Sequence, residues 1–167
     1  MKNLKLFEDF VPELNRDQWI DSEWRRDEMP AAFRVTPSNI SRLENDEVFV
    51  FGSNLQGIHT QGAARFAINN GFADEGQKNG PSRNGKSYAI PTQDNRQSLP
   101  LNEIKKYVDQ FLEYAKSNPD KKFYVTKLGT GYAGYREDQI SILFSKAPEI
   151  GNVYLPEEFL DSLGIYR

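Results

Sequence analysis

The chain has 167 residues, a formal charge of −3, 27% charged residues and no cysteine. That length suits one domain with a core of its own, and 11 Phe, 8 Tyr and 2 Trp supply the apolar bulk that a disordered chain lacks. Disulfides and thiolate metal sites are excluded, no apolar run approaches the roughly 18 residues of a membrane span, and a weakly acidic chain offers no general attraction to nucleic acid.

Residues 1–45 mix Phe7, Phe10, Trp19, Trp24 and Phe33 with dense charge, and Pro12, Pro30 and Pro37 break the pattern into short helices. A linker would not carry these aromatics, so 1–45 is expected to pack as an N-terminal cap on a domain spanning 46–167. The opening MKNLKLFEDF places acids where a signal peptide needs an apolar run, and with the absence of cysteine this points to a cytoplasmic protein. Ser38 is placed to cap a short helix reaching Leu43.

Residues 48–51 are an unbroken apolar run ending in Gly52-Ser53-Asn54, which predicts a buried strand entering a loop. Ala63, Phe66 and Ala67 predict a helix over 62–70 closed by Gly71. An exposed polar loop is expected over 72–85 and a short strand over 87–91. Leu101, Ile104, Val108, Phe111, Leu112 and Ala115 share one helical face between Pro100 and Asn118-Pro119. A strand over 123–128 runs into a second glycine-rich stretch, and a helix around 137–145 presents Ile140, Leu143 and Phe144. A strand over 153–155 then leads to a closing helix that starts at Pro156. Strands alternating with helices predict an α/β fold of three layers, α/β/α, with a mainly parallel or mixed sheet. Ligands of such folds sit beyond the carboxyl ends of the strands, where both glycine-rich loops fall.

Gly80-Pro81-Ser82-Arg83-Asn84-Gly85-Lys86-Ser87 matches the phosphate-loop pattern G-x-x-x-x-G-K-S, which would make the chain a P-loop nucleotide-binding protein. That chemistry needs a buried strand before the loop and a helix after it, so that free N–H groups meet the phosphates. The residues before Gly80 are polar, and Pro91 would break a following helix in its second turn. The match is read as a polar loop entering a strand.

The two loops that fit a ligand are Phe51-Gly52-Ser53-Asn54-Leu55-Gln56-Gly57-Ile58-His59-Thr60-Gln61-Gly62-Ala63-Ala64 and Gly129-Thr130-Gly131-Tyr132-Ala133-Gly134-Tyr135. Glycine lets backbone approach a ligand closely, and a helix opening at Gly62 offers unpaired N–H groups to an anion such as a diphosphate. The plain alternative is a tight strand-to-helix turn with small residues for packing. Two such loops at one sheet edge can grip one ligand from both sides.

A strand followed by Asn, a glycine-containing loop and Gly-Ala-Ala of a helix, then a later strand followed by Gly-Thr-Gly-Tyr-Ala-Gly-Tyr, resembles the macro-domain family of ADP-ribose-binding proteins. The resemblance covers 47–145, with Tyr88-Ala89-Ile90-Pro91 between the loops, and the pattern is shared with small bacterial and phage proteins. It implies a macro-domain-like fold with a helical, aromatic-rich N-terminal extension. It further implies that Asn54 contacts the distal ribose and that backbone from Gly57 through Ile58 to Gly62 and Ala63 holds the diphosphate, beside Gly52 and Ser53. Gly129, Thr130, Gly131, Tyr132 and Ala133 would close the other side, with Tyr132 or Tyr135 against a sugar. The counterpart of the family's adenine-contacting aspartate would be Asp46 or Glu47. The implied partner is a nucleotide of the ADP-ribose class, free or carried on an ADP-ribosylated macromolecule.

Whether the chain is also a hydrolase of an ADP-ribose derivative turns on His59, the single histidine, which is either a general acid or base in the first loop or a solvent-facing loop residue. Asn54 and Gln61 can position a water or hydrogen-bond sugar hydroxyls, but they are not bases. The pairs Asp74-Glu75 and Glu137-Asp138 are read as solvated surface, whereas Arg65, Arg83 and Lys86 either add positive charge near a phosphate or are ordinary surface. No metal site and no cofactor are predicted. The alternatives kept are a non-catalytic interaction domain of this fold and the P-loop protein.

Overall fold

The computed structural model describes residues 29–165. Its six strands are β1 (Glu47–Asn54), β2 (Gly80–Pro81), β3 (Ser87–Asp94), β4 (Gln97–Ser98), β5 (Lys122–Val125) and β6 (Val153–Tyr154). The α-helices are α1 (Gly62–Asn69), α2 (Leu101–Ser117), α3 (Glu137–Ser141) and α4 (Glu157–Ser162), with 3-10 turns at Ala31–Phe33, Ile142–Phe144 and Ala147–Glu149. The sheet order is β2-β3-β1-β5-β6, with β4 on β3. β1, β3, β5 and β6 run parallel, whereas β2 and β4 are antiparallel to β3.

β1 carries apolar side chains on both faces because it lies in the middle of the sheet. Val48 and Val50 join Tyr88, Ile90, Phe123 and Val125 in the larger core, against Ile104, Val108 and Phe111 of α2, Ile140 of α3 and Phe159 and Leu160 of α4. Phe49 and Phe51 turn to the opposite face and meet Ala64 and Ala67 of α1, with Phe72 and Ala89. The period of two in β1 therefore divides the core into two layers, and the three-layer α/β/α arrangement follows.

Residues 29–46, before β1, also pack against the sheet. Val35 bridges Leu155 in parallel, and Thr36 Oγ1 donates to the carbonyls of Val125 and Tyr154. Arg34 is buried and donates to the carbonyls of Met29, Pro148 and Val153, and desolvation pulls its pKa below the ordinary arginine value. Ile40 and Leu43 pack on the second core. The expected burial of Phe7, Phe10, Trp19 and Trp24 lies outside the described residues.

Four expectations are revised. No helix forms over 38–43, where Ser and Asn favour local bonds over a helix and the apolar pair is spent on core contact. The strand expected over 123–128 stops at Val125, because Thr126 turns its N–H and hydroxyl back to the Val50 carbonyl. The helix expected over 137–145 is α-helical only to Ser141 and tightens into a 3-10 turn. The 72–85 stretch is not merely exposed loop: it contains β2, and Phe72, Gln77 and Ser82 are buried.

Candidate functional site

The parallel strands β1, β3 and β5 lie side by side, so their carboxyl ends open onto one edge of the sheet. α1 covers one face after β1 and α2 the other after β3, so the chain reverses direction around β1. The loops after β1 and β5 meet at that reversal. A Cβ on Gly62 would lie 3.8 Å from the Tyr132 ring, and one on Gly52 would lie 3.2 Å from Leu128 Cβ and 3.6 Å from the Gly129 nitrogen.

The first loop is held from beneath by the 72–82 stretch. His59 is 6% exposed, edge-on to Phe51, and its Nε2 donates to the Gln77 carbonyl at 2.6 Å. Gly57 is left-handed at φ 71°, and a Cβ there would stand 2.5 Å from the Gly76 carbonyl oxygen. Ser53 Oγ donates to the Lys78 carbonyl, and Arg65 pairs with Glu75 at 2.9 Å. Gln77 ties the platform together: its Oε1 accepts from Asp74 N–H and Ser87 Oγ, and its Nε2 donates to the Gly80 carbonyl.

Asn54 organises the loop from within. Its Oδ1 accepts from the N–H groups of Gln56 and Ile58, and its Nδ2 donates to the Ile58 carbonyl at 2.5 Å. A carboxamide has two acceptor positions and two donor hydrogens, so one Nδ2 hydrogen remains for a ligand. Gly57 N–H is likewise used, by the Asn54 carbonyl. Beyond it Ile58 is 63% exposed, and Gln61, Gly62 and Ala63 are open to solvent at the start of α1.

No side chain caps α1. Among the described residues the N–H groups of Gln61, Gly62 and Ala63 have no acceptor.

The second loop closes mainly on itself. Tyr135 N–H donates to the Gly129 carbonyl, Gly134 N–H to that of Gly131, and Thr130 Oγ1 to that of Lys127. Gly129, at φ 79°, is locked: a Cβ would be 2.7 Å from Ile140 Cδ1. Gly131 has open space around it, and Tyr132 is 67% exposed. Among the described residues the N–H groups of Gly131, Tyr132 and Ala133 have no acceptor.

Of the residues singled out in the sequence, Ile58, Gln61, Gly62, Ala63, Gly131 and Tyr132 are therefore the ones exposed on the two loops. Gly52, Ser53, Gly57, Gly129 and Thr130 are committed to packing or internal bonds. Ala133 and Tyr135 support the loop through Ser98 Oγ, which donates to the Ala133 carbonyl, and the Tyr135 hydroxyl, which donates to the Leu99 carbonyl at 2.5 Å. His59 is neither solvent-facing nor open through Nε2, because the Phe51 ring and the Gln77 carbonyl occupy its surroundings.

Two contributors escaped the sequence reading. One is the platform, whose recurring positive-φ glycines Gly71, Gly76, Gly80 and Gly85 mark successive turns. The other is the β3–β4 hairpin, marked only by the polar run Asp94-Asn95-Arg96.

The phosphate-loop match is a hairpin turn between β2 and β3. Ser87 begins a strand, so no helix N-terminus faces Gly80 to Ser87.

A cleft of about 520 Å³, the outer cleft, borders the base of the second loop and is lined by Lys127, Thr130, Tyr135, Arg136, Glu137, Asp138 and Ser162, so it includes Thr130 and Tyr135 of the residues singled out in the sequence. Its cations are already engaged: Lys127 with Glu158 at 3.5 Å and Arg136 with Asp138 at 3.0 Å. The Arg136 hydrogen bond draws the Asp138 pKa below the usual carboxylate value. Among the described residues no group of His, Asp and Glu is arranged to hold a metal ion, and no helix is long and apolar enough to cross a membrane.

No family model matches the chain, and comparison with curated proteins and with solved structures likewise returned no match.

Proposed function

We propose that this chain binds ADP-ribose, or a related phosphate-bearing nucleotide, in the groove between the loops after β1 and β5, in the manner of the macro domains it resembles. One observation carries the reading: two sets of exposed residues with unpaired N–H groups, at 61–63 and 131–132, lie on the loops that approach each other at Gly62 and Tyr132. Such groups are permanent donors that suit an anion, and the α1 dipole adds positive potential at Gly62. The remaining Asn54 hydrogen and the Gln61 carboxamide suit sugar hydroxyls, and the exposed Tyr132 and Ile58 suit a ring or sugar face. The ligand is either free or the terminal group of a modified macromolecule.

Binding without hydrolysis is favoured over catalysis. His59 is engaged beneath the loop, and no other strong base stands among the groove residues. Calorimetric titration of the full chain with ADP-ribose, ADP, NAD and ATP with Mg²⁺ tests the reading. Preferential ADP-ribose binding that disappears in Gly131→Glu supports it; binding of ATP with Mg²⁺ alone, or of nothing, rejects it.

A further inference from the structure

The β3–β4 hairpin stands at the carboxyl edge of the sheet and touches both loops. On one side Gln56 Nε2 donates to Asp94 Oδ1, and Gln56 Oε1 accepts from Asn95 N–H at 2.7 Å. On the other, Ser98 and Tyr135 bind the hairpin to the second loop through the Ala133 and Leu99 carbonyls. The hairpin is thus a third wall of the groove.

Its turn is the one place among the described residues where side chains other than hydrogen sit at positive φ: Asn95 at 47° and Arg96 at 67°. Two left-handed residues match the twist of a two-residue hairpin, for which Asn followed by Gly is the favoured pair. Asparagine tolerates the conformation, but arginine in the glycine position keeps its Cβ crowded. Strain retained at the rim of a binding groove calls for a gain from the side chain itself.

Arg96 is exposed, and among the described residues it has neither an ion pair nor a hydrogen bond, whereas Lys127, Arg136 and Arg65 are all paired. The only carboxylate beside it in the turn, Asp94, is engaged by Gln56.

We infer that Arg96 is a binding residue that supplies the groove with its positive side chain, contacting a phosphate of the ligand from the third wall. This rests on the reading that the groove holds a phosphate-bearing nucleotide. A guanidinium can bridge two phosphate oxygens, which lysine cannot do with the same geometry.

The test is calorimetry on the full chain with ADP-ribose and, separately, inorganic pyrophosphate, for the parent and for Arg96→Gln, Arg96→Lys and Arg96→Gly. The parent is expected to bind both, with Arg96→Gln weakening ADP-ribose about tenfold, Arg96→Lys less, and the parent losing affinity more steeply with salt than Arg96→Gln. Arg96→Gly should weaken binding like Arg96→Gln while its melting temperature rises, since glycine relieves the turn. This separates lost charge from a damaged hairpin. Parent-like affinity in Arg96→Gln overturns the role of Arg96 and leaves the groove reading standing. A parent that binds neither probe overturns both.

Discussion

The two loops that meet at the sheet edge are built on opposite plans. The loop after β1 is fastened to a separate stretch of chain, with a histidine ring, a glycine contact and a serine hydroxyl all directed into the 72–82 platform. The loop after β5 is fastened at its base, where Gly129 meets Ile140, and its tip at Gly131 and Tyr132 is open. One loop is fastened from outside along its length, and the other leaves its tip exposed and uncrowded. Such a division fits an anion held by fixed backbone donors and a sugar or base met by an aromatic side chain.

The largest effects should come from the fastened wall. Gly57→Ala forces a Cβ onto the Gly76 carbonyl at positive φ, and His59→Ala empties a buried site and strands the Gln77 carbonyl, each costing about 3 kcal/mol of stability. Urea unfolding measures this. A His59→Ala protein with parental stability but altered ligand chemistry would reverse the assignment of His59 to the scaffold.

A middle-sized effect should separate the base of the second loop from its tip. Gly129→Ala, pressed against Ile140, is expected to lose about 2 kcal/mol, whereas Gly131→Ala should change stability by less than about 0.5 kcal/mol. Tyr132→Ala belongs with Gly131: melting unchanged, but ADP-ribose affinity lowered about tenfold. Equal destabilisation at 129 and 131 would mean that the tip is as tightly packed as the base.

The main strands and helices were visible in the sequence, the 72–82 platform and the β3–β4 hairpin were not, and few roles could be read at all. The continuous apolar run in β1, the one-sided α2 and the glycines after β1 and β5 each carry a local signal, and each element formed close to its expected place. What the signal could not reveal is which partner a glycine or polar residue meets. Gly57 and Gly131 look alike in sequence, yet one is pressed on Gly76 and the other on nothing. His59 has one loop position compatible with catalysis, exposure or burial, and the choice is made by Gln77, 18 residues away. Arg96 gave no warning because its φ is set by the pairing of β3 with β4, which is too short to register as a strand.

The smallest effect, nil at neutral pH, concerns the core that both loops share. Tyr88 packs against Phe111 and Tyr114, and desolvation pushes its hydroxyl from 10.0 up to about 12. The fold therefore favours neutral tyrosine, and this contribution is complete below pH 10 and lost as the pH rises toward 12. Alkaline unfolding followed by tyrosine absorbance should fall in that window and shift down toward the ordinary tyrosine value with any variant that opens the core. Loop-tip variants should leave it unmoved.

The central claim, that the N–H groups at 61–63 and 131–132 jointly hold the ligand, is tested most directly by amide chemical-shift mapping of ¹⁵N-labelled protein titrated with ADP-ribose. The account predicts the largest shifts at Gly62, Ala63, Gly131 and Tyr132, with smaller ones at Arg96 and near-silence at His59. Shifts centred on Lys127, Arg136 and Ser162 would move the site to the outer cleft, and an unchanged spectrum would contradict the claim outright.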